Sequence, residues 1–136
     1  MKQLFILRSI PAQGKSTIAK ILSQGLKDSL ILSADNLRII DGKYQFNLQH
    51  EPYIWEEFEN RFNKAIEDGI ENIIIDNTNL KKVHYEFYKL DAIEAGYIVH
   101  ELIVGDFDIQ KSYERGTHGV PLDMIQKMKE AFQWPE

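Results

Sequence analysis

Short apolar runs alternate with longer amphipathic stretches along the chain. The apolar runs predict strands at Gln3–Leu7, Leu30–Ser33, Asn72–Asp76 and Tyr97–Val104. Within the third run, Ile73, Ile74 and Ile75 are consecutive, which is typical of a central strand buried on both faces.

Apolar residues at helical spacing predict helices between and after these strands. They are expected at Lys15–Leu26, Tyr53–Asp68, Val83–Ala95 and Leu122–Phe132. The stretch Asp41–Pro52 has no clear period and predicts a loop. Strands that alternate with helices indicate βα units around a parallel sheet, so the pattern predicts an α/β fold. At 136 residues we expect a single domain over 1–136.

Composition narrows the classes of function. The chain has no cysteine, which excludes disulfides, thiolate metal sites and cysteine nucleophiles. Acidic residues outnumber basic ones 21 to 16, so a wide electrostatic grip on duplex DNA is not expected, although a local contact with a strand end is compatible. No apolar run approaches the roughly 18 residues of a membrane span. We expect no membrane contact and a cytoplasmic location, and the sequence leaves the oligomeric state open.

The strongest local motif is the segment RSIPAQGKST between the first predicted strand and the first predicted helix. A loop in this position directs backbone N–H groups and a helix N-terminus at an anion, and so predicts a nucleoside-triphosphate site. The candidate nucleotide-binding residues here are Ser9, Ala12, Gln13, Gly14, Lys15, Ser16 and Thr17. Lys15 is expected to reach the β- and γ-phosphates, and Ser16 to offer its hydroxyl to Mg²⁺. Ser9 departs from the glycine of the usual pattern; a chance G-K-S-T at a helix start is the alternative.

Polar residues also follow the second predicted strand. In doubly wound sheets ligands lie beyond the carboxyl ends of the strands, which places Asp35 and Arg38 beside the phosphate loop. A spacing of three residues puts both side chains on one face of a helical turn. The carboxylate can accept a proton from an attacking hydroxyl, and the guanidinium can hold a phosphate. The alternative is that Ser33 or Asp35 caps a helix, with Arg38 as its salt-bridge partner.

Two further segments carry candidate chemistry. Arg115 precedes two glycines and a proline, a composition that allows a loop to close over a site and bring an arginine to a transferring phosphoryl group. A surface arginine before a turn is the alternative. Asp76 ends the third predicted strand, where a second carboxylate can join the Mg²⁺ shell; the following N-T-N can equally form a plain Asx-type turn.

Four motifs occur in a fixed order: Ser9–Thr17, Ser33-x-Asp35-x-x-Arg38, Ile75-Asp76-Asn77-Thr78-Asn79 and R-G-T-H-G-V-P from Arg115. In this order the chain resembles the polynucleotide 5′-kinase family of P-loop phosphotransferases. The resemblance implies a P-loop kinase-like parallel sheet flanked by helices, with a C-terminal lid and helix. It also implies Mg²⁺-dependent transfer of the γ-phosphate of ATP, or another NTP, to the 5′-hydroxyl end of DNA or RNA.

The resemblance further implies roles for individual residues. Lys15 and Ser16 hold the triphosphate and its metal, with Asp76 as a second metal residue. Asp35 is the general base, while Arg38 holds the acceptor's 3′-phosphate or helps to neutralise the transferred group. The remaining roles belong to Arg115, which stabilises the transferring phosphoryl group, and to Thr78 and Val120, which flank the acceptor nucleoside.

Two rival functions remain at this point. One is a small-molecule kinase on the same scaffold, acting on a sugar, nucleoside or antibiotic hydroxyl. The other is a non-catalytic nucleotide-binding module in which Ser9 has impaired the loop. The expected kinase lacks a phosphatase activity and leaves 3′-phosphates untouched.

Aromatic residues cluster after the second motif. At helical spacing Trp55, Phe58 and Phe62 are expected in the core, whereas Tyr44 and Phe46 can stack on a nucleobase. The histidines show no metal-ligand spacing, and His118 is expected to be an exposed loop residue.

Overall fold

The computed structural model describes residues 1–135. Four parallel strands form the central sheet: β1 (Gln3–Arg8), β2 (Ser29–Leu32), β5 (Asn72–Asp76) and β6 (Ile98–Ile103). Their order across the sheet is β2-β5-β1-β6, and all four agree with the predicted strands to within one residue at each end. A separate two-stranded hairpin pairs β3 (Ile39–Ile40) with β4 (Lys43–Tyr44). The predicted α/β class and parallel sheet are confirmed.

Six α-helices connect and flank the strands in the described part of the chain. They are α1 (Lys15–Gly25), α2 (Ala34–Leu37), α3 (Glu51–Asp68), α4 (Glu86–Glu94), α5 (Ile109–Arg115) and α6 (Leu122–Ala131). The helix predicted over Val83–Ala95 is interrupted, because a 3₁₀ turn over Lys82–His84 precedes α4.

The prediction of a loop over Asp41–Pro52 was wrong in two places. Part of it forms β4 of the hairpin, and α3 begins at Glu51 with Pro52 in its first turn, where the missing proline N–H costs nothing. The other end of α3 agrees with the sequence: Gly69 closes it with φ 67°, a left-handed conformation that glycine adopts without strain.

The strand side chains alternate between two apolar layers. Leu4, Ile6, Ile73 and Ile75 point to the side covered by α3 and α4. Phe5, Leu7 and Ile74 point to the side covered by α1. Because helices cover both sides, the central strands are apolar at consecutive positions, which explains the uninterrupted isoleucine run.

A third apolar cluster closes the molecule beyond the end of β1. Ile10, Phe107, Ile125 and Phe132 are its buried members, and Val120 packs against them. Through this cluster, α6 and the segment before it pack against the loop that follows β1.

The guanidinium of Arg8 joins this cluster to the sheet. Arg8 is 1% exposed, and it donates hydrogen bonds to the backbone carbonyls of Asn79 (2.9 Å), Leu80 (3.1 Å) and Gln133 (2.6 Å). Its Cζ also lies 4.8 Å from the ring centre of Tyr85 and 4.5 Å from that of Phe132. One buried cation therefore ties the end of β1 to the segment after β5 and to the chain beyond α6.

The helices over residues 1–135 include none with the length and apolar character needed to cross a bilayer.

We expect Arg8→Ala to lower the free energy of unfolding by about 3 kcal/mol or more, because one buried and two part-buried backbone carbonyls lose their donor at once. Arg8→Lys keeps the charge but not the planar arrangement of donors, so its free energy of unfolding should lie between those of Arg8→Ala and wild type. Urea denaturation measures both variants. Arg61→Ala, which removes an exposed pair with Glu57, is the control and should change little. Equal stability of Arg8→Ala and wild type would contradict this role.

Candidate active site

The phosphate loop runs from the end of β1 to the start of α1. Gly14 precedes the helix with φ 95°, and no side chain caps the helix N-terminus. The first N–H groups of an α-helix have no partner within the helix, so here they are available to an anion. Ala12 also has a positive φ of 59°. The loop has the form expected of a phosphate cradle.

Ser9 fits its position although the usual pattern has glycine there. It is absent from the residues with positive φ, so this position does not need glycine's conformational freedom. The side chain is fully buried, with its hydroxyl donating to the carbonyl of Ile10 at 2.8 Å. The Ser9 N–H donates to the carbonyl of Thr78 at 3.0 Å, which attaches the loop to the segment after β5.

The Gln13 side chain links the phosphate loop to Ser112 and Phe107. Its Nε2 donates to Ser112 Oγ at 2.6 Å, and its Oε1 accepts from the Phe107 N–H at 3.0 Å. A Cβ at Gly105, whose φ is 95°, would collide with the Gln13 side chain, so a glycine is required there. Gln13 can therefore serve a nucleotide through its backbone N–H only, while its side chain links the loop to α5.

Lys15, Ser16 and Asp76 form a compact charged cluster beside the cradle. Ser16 Oγ donates to Asp76 Oδ2 at 3.0 Å, and Lys15 Nζ lies 4.0 Å from Asp76 Oδ1. Burial lowers the pKa of Lys15, and the charges of Asp76 and Asp35 oppose this only in part. The negative charge of a triphosphate bound in the cradle would stabilise the charged form of Lys15.

The same cluster fits a magnesium ion that arrives with phosphate. A hydroxyl and one carboxylate are hard oxygen ligands, and Mg²⁺ is usually held by one or two carboxylates together with substrate phosphates. Over residues 1–135 no group of three or more histidines and carboxylates could hold a metal alone. Ser16 and Asp76 are thus suited to a metal–nucleotide complex rather than to a resident ion.

Asp35 and Arg38 meet as the sequence predicts, with a third residue that the sequence did not reveal. Arg38 Nη1 donates to Asp35 Oδ1 at 2.7 Å. Glu51, at the start of α3, accepts from Arg38 Nε at 3.0 Å and from Nη2 at 2.6 Å. Ser33 caps α2 by accepting from the Asn36 N–H at 3.2 Å. The capping alternative is therefore correct for Ser33, and α2 presents Asp35 and Arg38 on one side.

Glu51 limits what Arg38 can bind. Burial opposes the charge on Arg38, but the hydrogen bonds to Glu51 and then Asp35 outweigh it and raise the guanidinium pKa. Three of the five N–H donors of an arginine are used in these bonds, which leaves one on Nη1 and one on Nη2. Arg38 therefore orients Asp35, and its two remaining N–H donors are available to a ligand.

Asp35 itself has one fixed oxygen and one open one. Oδ1 accepts from Arg38 and from the Tyr44 hydroxyl at 3.2 Å, while Oδ2 accepts no hydrogen bond within residues 1–135. The side chain is 48% exposed, compared with 12% for Arg38. Such a carboxylate is held in position and keeps one oxygen that accepts no hydrogen bond from residues 1–135.

The lid, defined as Arg115–Pro121, contacts this carboxylate through an aromatic stack. His118 lies on Tyr44 with ring centres 3.9 Å apart, and His118 Nε2 is 3.9 Å from Asp35 Oδ2. His118 is an exposed loop residue, as expected, but its contacts with Tyr44 and Asp35 were not predicted. No local sequence signal pairs residues so far apart; only the fold brings the hairpin and the lid together.

Arg115 and Val120 occupy different environments within the lid. Arg115 is exposed, and its side chain makes no hydrogen bond or ion pair with residues 1–135. Val120 is half-buried against the third apolar cluster. Arg115 therefore lies at the end of α5, the helix that Gln13 contacts, and has no side-chain partner in the described part of the chain.

The I-D-N-T-N segment does not form a plain turn; its asparagine side chains bind the backbone of β1 and of α2. Asn77 Oδ1 accepts from the Ala34 N–H at 2.9 Å, which holds the start of α2. Asn79 Nδ2 donates to the Leu7 carbonyl at 2.8 Å, which holds the end of β1. Half-buried Thr78 lies between them. Two asparagines therefore set the spacing between the phosphate loop and Asp35.

Comparison with solved structures identifies the class of fold. A chain of the Pnkp1/Rnl/Hen1 RNA repair complex matches with a TM-score of 0.72 and 17% identity, covering 96% of this chain and 43% of that one. Kti12 of Chaetomium thermophilum, in complex with ADP-AlF3, matches with a TM-score of 0.67 and 16% identity, covering 98% and 81%. The protein has a P-loop kinase-like fold, as the sequence resemblance implied.

A curated relative matches at higher identity. NEDD4-binding protein 2 of Homo sapiens is 33% identical over 135 residues, which is 96% of this chain but 8% of that protein's length. No protein-family model matches the chain.

We expect the Tyr44–His118 stack to stabilise the packing of the lid against the hairpin. Tyr44→Ala and His118→Ala should each speed tryptic cleavage after Arg115 by about 2- to 10-fold, the equivalent of an aromatic contact of 0.5–1.5 kcal/mol. The double variant should gain little beyond either single one, because both remove the same contact. Mass spectrometry of timed digests measures the rates.

The control is Tyr53→Ala, an exposed tyrosine outside the stack. Cleavage after Arg115 at the wild-type rate in both single variants would show that the lid is held by other contacts.

Proposed function

We propose that this protein is a polynucleotide 5′-hydroxyl kinase, which transfers the γ-phosphoryl group of ATP or another NTP to the 5′-hydroxyl end of DNA or RNA. The observation that carries the proposal is the state of Asp35. One of its oxygens is fixed by two donors, and the other accepts no hydrogen bond from residues 1–135 and lies 3.9 Å from His118 of the lid. A general base for a hydroxyl acceptor needs this combination of orientation and access.

In the proposed reaction each of these side chains has a separate role. The acceptor hydroxyl lies against Asp35 Oδ2, which takes its proton as the oxygen attacks the γ-phosphorus. The bond between the γ-phosphorus and the bridging oxygen breaks, and the nucleoside diphosphate leaves. Since the transition state spreads charge over the equatorial oxygens, Lys15 and Arg115 act by supplying positive charge to them.

Further residues bind and position the reactants. The N–H groups from Ala12 to Thr17 bind the phosphates. Mg²⁺, held through Ser16 and Asp76, would neutralise charge on the β- and γ-phosphates. The two unused N–H donors of Arg38 are available to the phosphate on the 3′ side of the terminal nucleoside, with Thr78 and Val120 beside that nucleoside.

Two lines of evidence support a nucleic-acid end as the acceptor. The four ordered motifs resemble those of polynucleotide 5′-kinases over nearly the whole chain. The likeness to a chain of an RNA repair complex agrees with this and favours RNA among the acceptors to be tested.

We expect transfer of γ-labelled phosphate from ATP to oligonucleotides that bear a 5′-hydroxyl, and its loss in Asp35→Asn. Removal of a general base should lower kcat by about 10²- to 10⁴-fold, since the amide cannot accept the proton. Arg115→Ala should lower it by about 10³-fold or more. Asp41→Asn, an exposed aspartate at the hairpin tip, is the matched control and should retain activity.

Label on no DNA or RNA oligonucleotide, with ATP binding intact, would contradict the polynucleotide acceptor and favour a small-molecule hydroxyl. Background transfer that Asp35→Asn leaves unchanged would favour a non-catalytic nucleotide-binding module.

We also expect a dependence on Mg²⁺ that passes through Asp76. EDTA should abolish transfer, and Asp76→Asn should raise the Mg²⁺ concentration for half-maximal rate by about 10-fold or more, because an amide is a weaker partner for the ion. Asp106→Asn, an exposed aspartate paired with Lys111, is the control. An unchanged Mg²⁺ requirement in Asp76→Asn would remove Asp76 from the metal site.

A further inference from the structure

Two aromatic side chains stand exposed beside the proposed acceptor site. Phe46 follows the hairpin and is 61% exposed, and Trp55 on α3 is 39% exposed. Their ring centres lie 5.9 Å and 5.7 Å from Arg38 Cζ. The expectation that Trp55 belongs to the core was therefore wrong: its ring centre lies 5.7 Å from that of buried Phe58, but the residue itself is exposed.

The hydrogen bonds of Arg38 explain why Phe46 and Trp55 lie against it. Glu51 and Asp35 take three donors in the plane of the guanidinium, which leaves its faces for the rings. An aromatic ring on such a face is stabilised by the cation. Phe46 and Trp55 are thus held next to Arg38, which follows Asp35 along the proposed path of the acceptor strand, although their own exposure to water is unfavourable.

Two other exposed aromatic residues lack this position. Phe87 is 51% exposed on α4, and Tyr53 is 72% exposed on α3, but neither ring stacks on Arg38, the hairpin or the lid among residues 1–135. Only an exposed ring beside the acceptor site can contact an acceptor that is longer than one nucleotide.

We propose that Phe46 and Trp55 form a stacking site for a nucleobase of the acceptor strand, one or two nucleotides downstream of the 5′-terminal nucleoside. This proposal rests on the proposed polynucleotide kinase function. With the 5′-hydroxyl at Asp35 and the following phosphate at Arg38, the strand leaves the site past these two rings. Each base presents a π-face, so the contact tolerates any sequence.

Charge makes stacking the more suitable means of holding the strand. The chain carries a net charge of −5, and Glu51 and Asp35 already neutralise Arg38. Affinity that comes from stacking rather than from contacts between cations and phosphates should depend weakly on salt. Bases paired in a duplex are not free to stack on protein rings, so the site favours a single-stranded end.

The test compares acceptors of increasing length. Wild type should show a KM that falls from a nucleoside 3′-monophosphate to a tetranucleotide with a 5′-hydroxyl, both measured with saturating ATP. Phe46→Ala and Trp55→Ala should raise the tetranucleotide KM by about tenfold, within the range of 1–3 kcal/mol found for one stacked base. The effect should fall on KM rather than kcat, as for an interaction that ground state and transition state share.

Conservative variants separate stacking from general apolarity or misfolding. Phe46→Tyr and Trp55→Phe keep an aromatic face and should retain most of the affinity, whereas Phe46→Leu keeps only the apolar volume and should not. Phe87→Ala removes an equally exposed aromatic residue elsewhere and should leave the tetranucleotide KM unchanged. A tetranucleotide with an abasic second and third position should bind wild type as weakly as the intact strand binds Phe46→Ala.

A second readout needs no turnover. Trp134→Phe leaves Trp55 as the sole tryptophan of the chain, so its fluorescence reports on the ring directly. Quenching by the intact tetranucleotide, but not by the abasic one, is the expected result. Tetranucleotide KM values equal to wild type in Phe46→Ala and Trp55→Ala, with kinase activity intact, would overturn the stacking site alone. No transfer to any 5′-hydroxyl oligonucleotide would instead overturn the proposed function.

Discussion

The buried guanidinium of Arg8 is the contact on which the arrangement of the site depends. It donates to three carbonyls from two distant segments of the chain and meets no carboxylate within residues 1–135. Carbonyl dipoles and aromatic faces compensate for its desolvation only if all of them are in place together. The end of β1, the segment after β5 and the chain beyond α6 are therefore held in one relative position, and the phosphate loop starts at the next residue.

The proposed reaction requires three segments to meet that are far apart in sequence. The loop after β1 receives phosphate, the turn after β2 carries Asp35, and the lid brings Arg115. Gln13 connects the first to the helix that leads into the lid, through its contact with Ser112. Asn77 connects the second to the segment after β5. Buried hydrogen bonds of this kind are directional, so they position groups more narrowly than apolar packing does.

Much of this site could be predicted because its residues act locally. The loop from Ser9 to Thr17 needs only a strand before it and a helix after it. Asp35 and Arg38 are three residues apart on one helical turn, so their pairing follows from spacing. Glu51 could not be found in this way, because it joins Arg38 from another helix. The same is true of the stack between Tyr44 and His118.

The sequence by itself determined the strands, the order of the motifs and the class of fold, because periodic apolar residues and a strand–loop–helix junction are properties of neighbouring residues. The tertiary structure alone decided which oxygen of Asp35 is free, how many donors Arg38 retains, and that Phe46 and Trp55 stand beside it. These depend on distances between segments that are set by buried contacts such as those of Arg8, and no local pattern encodes them.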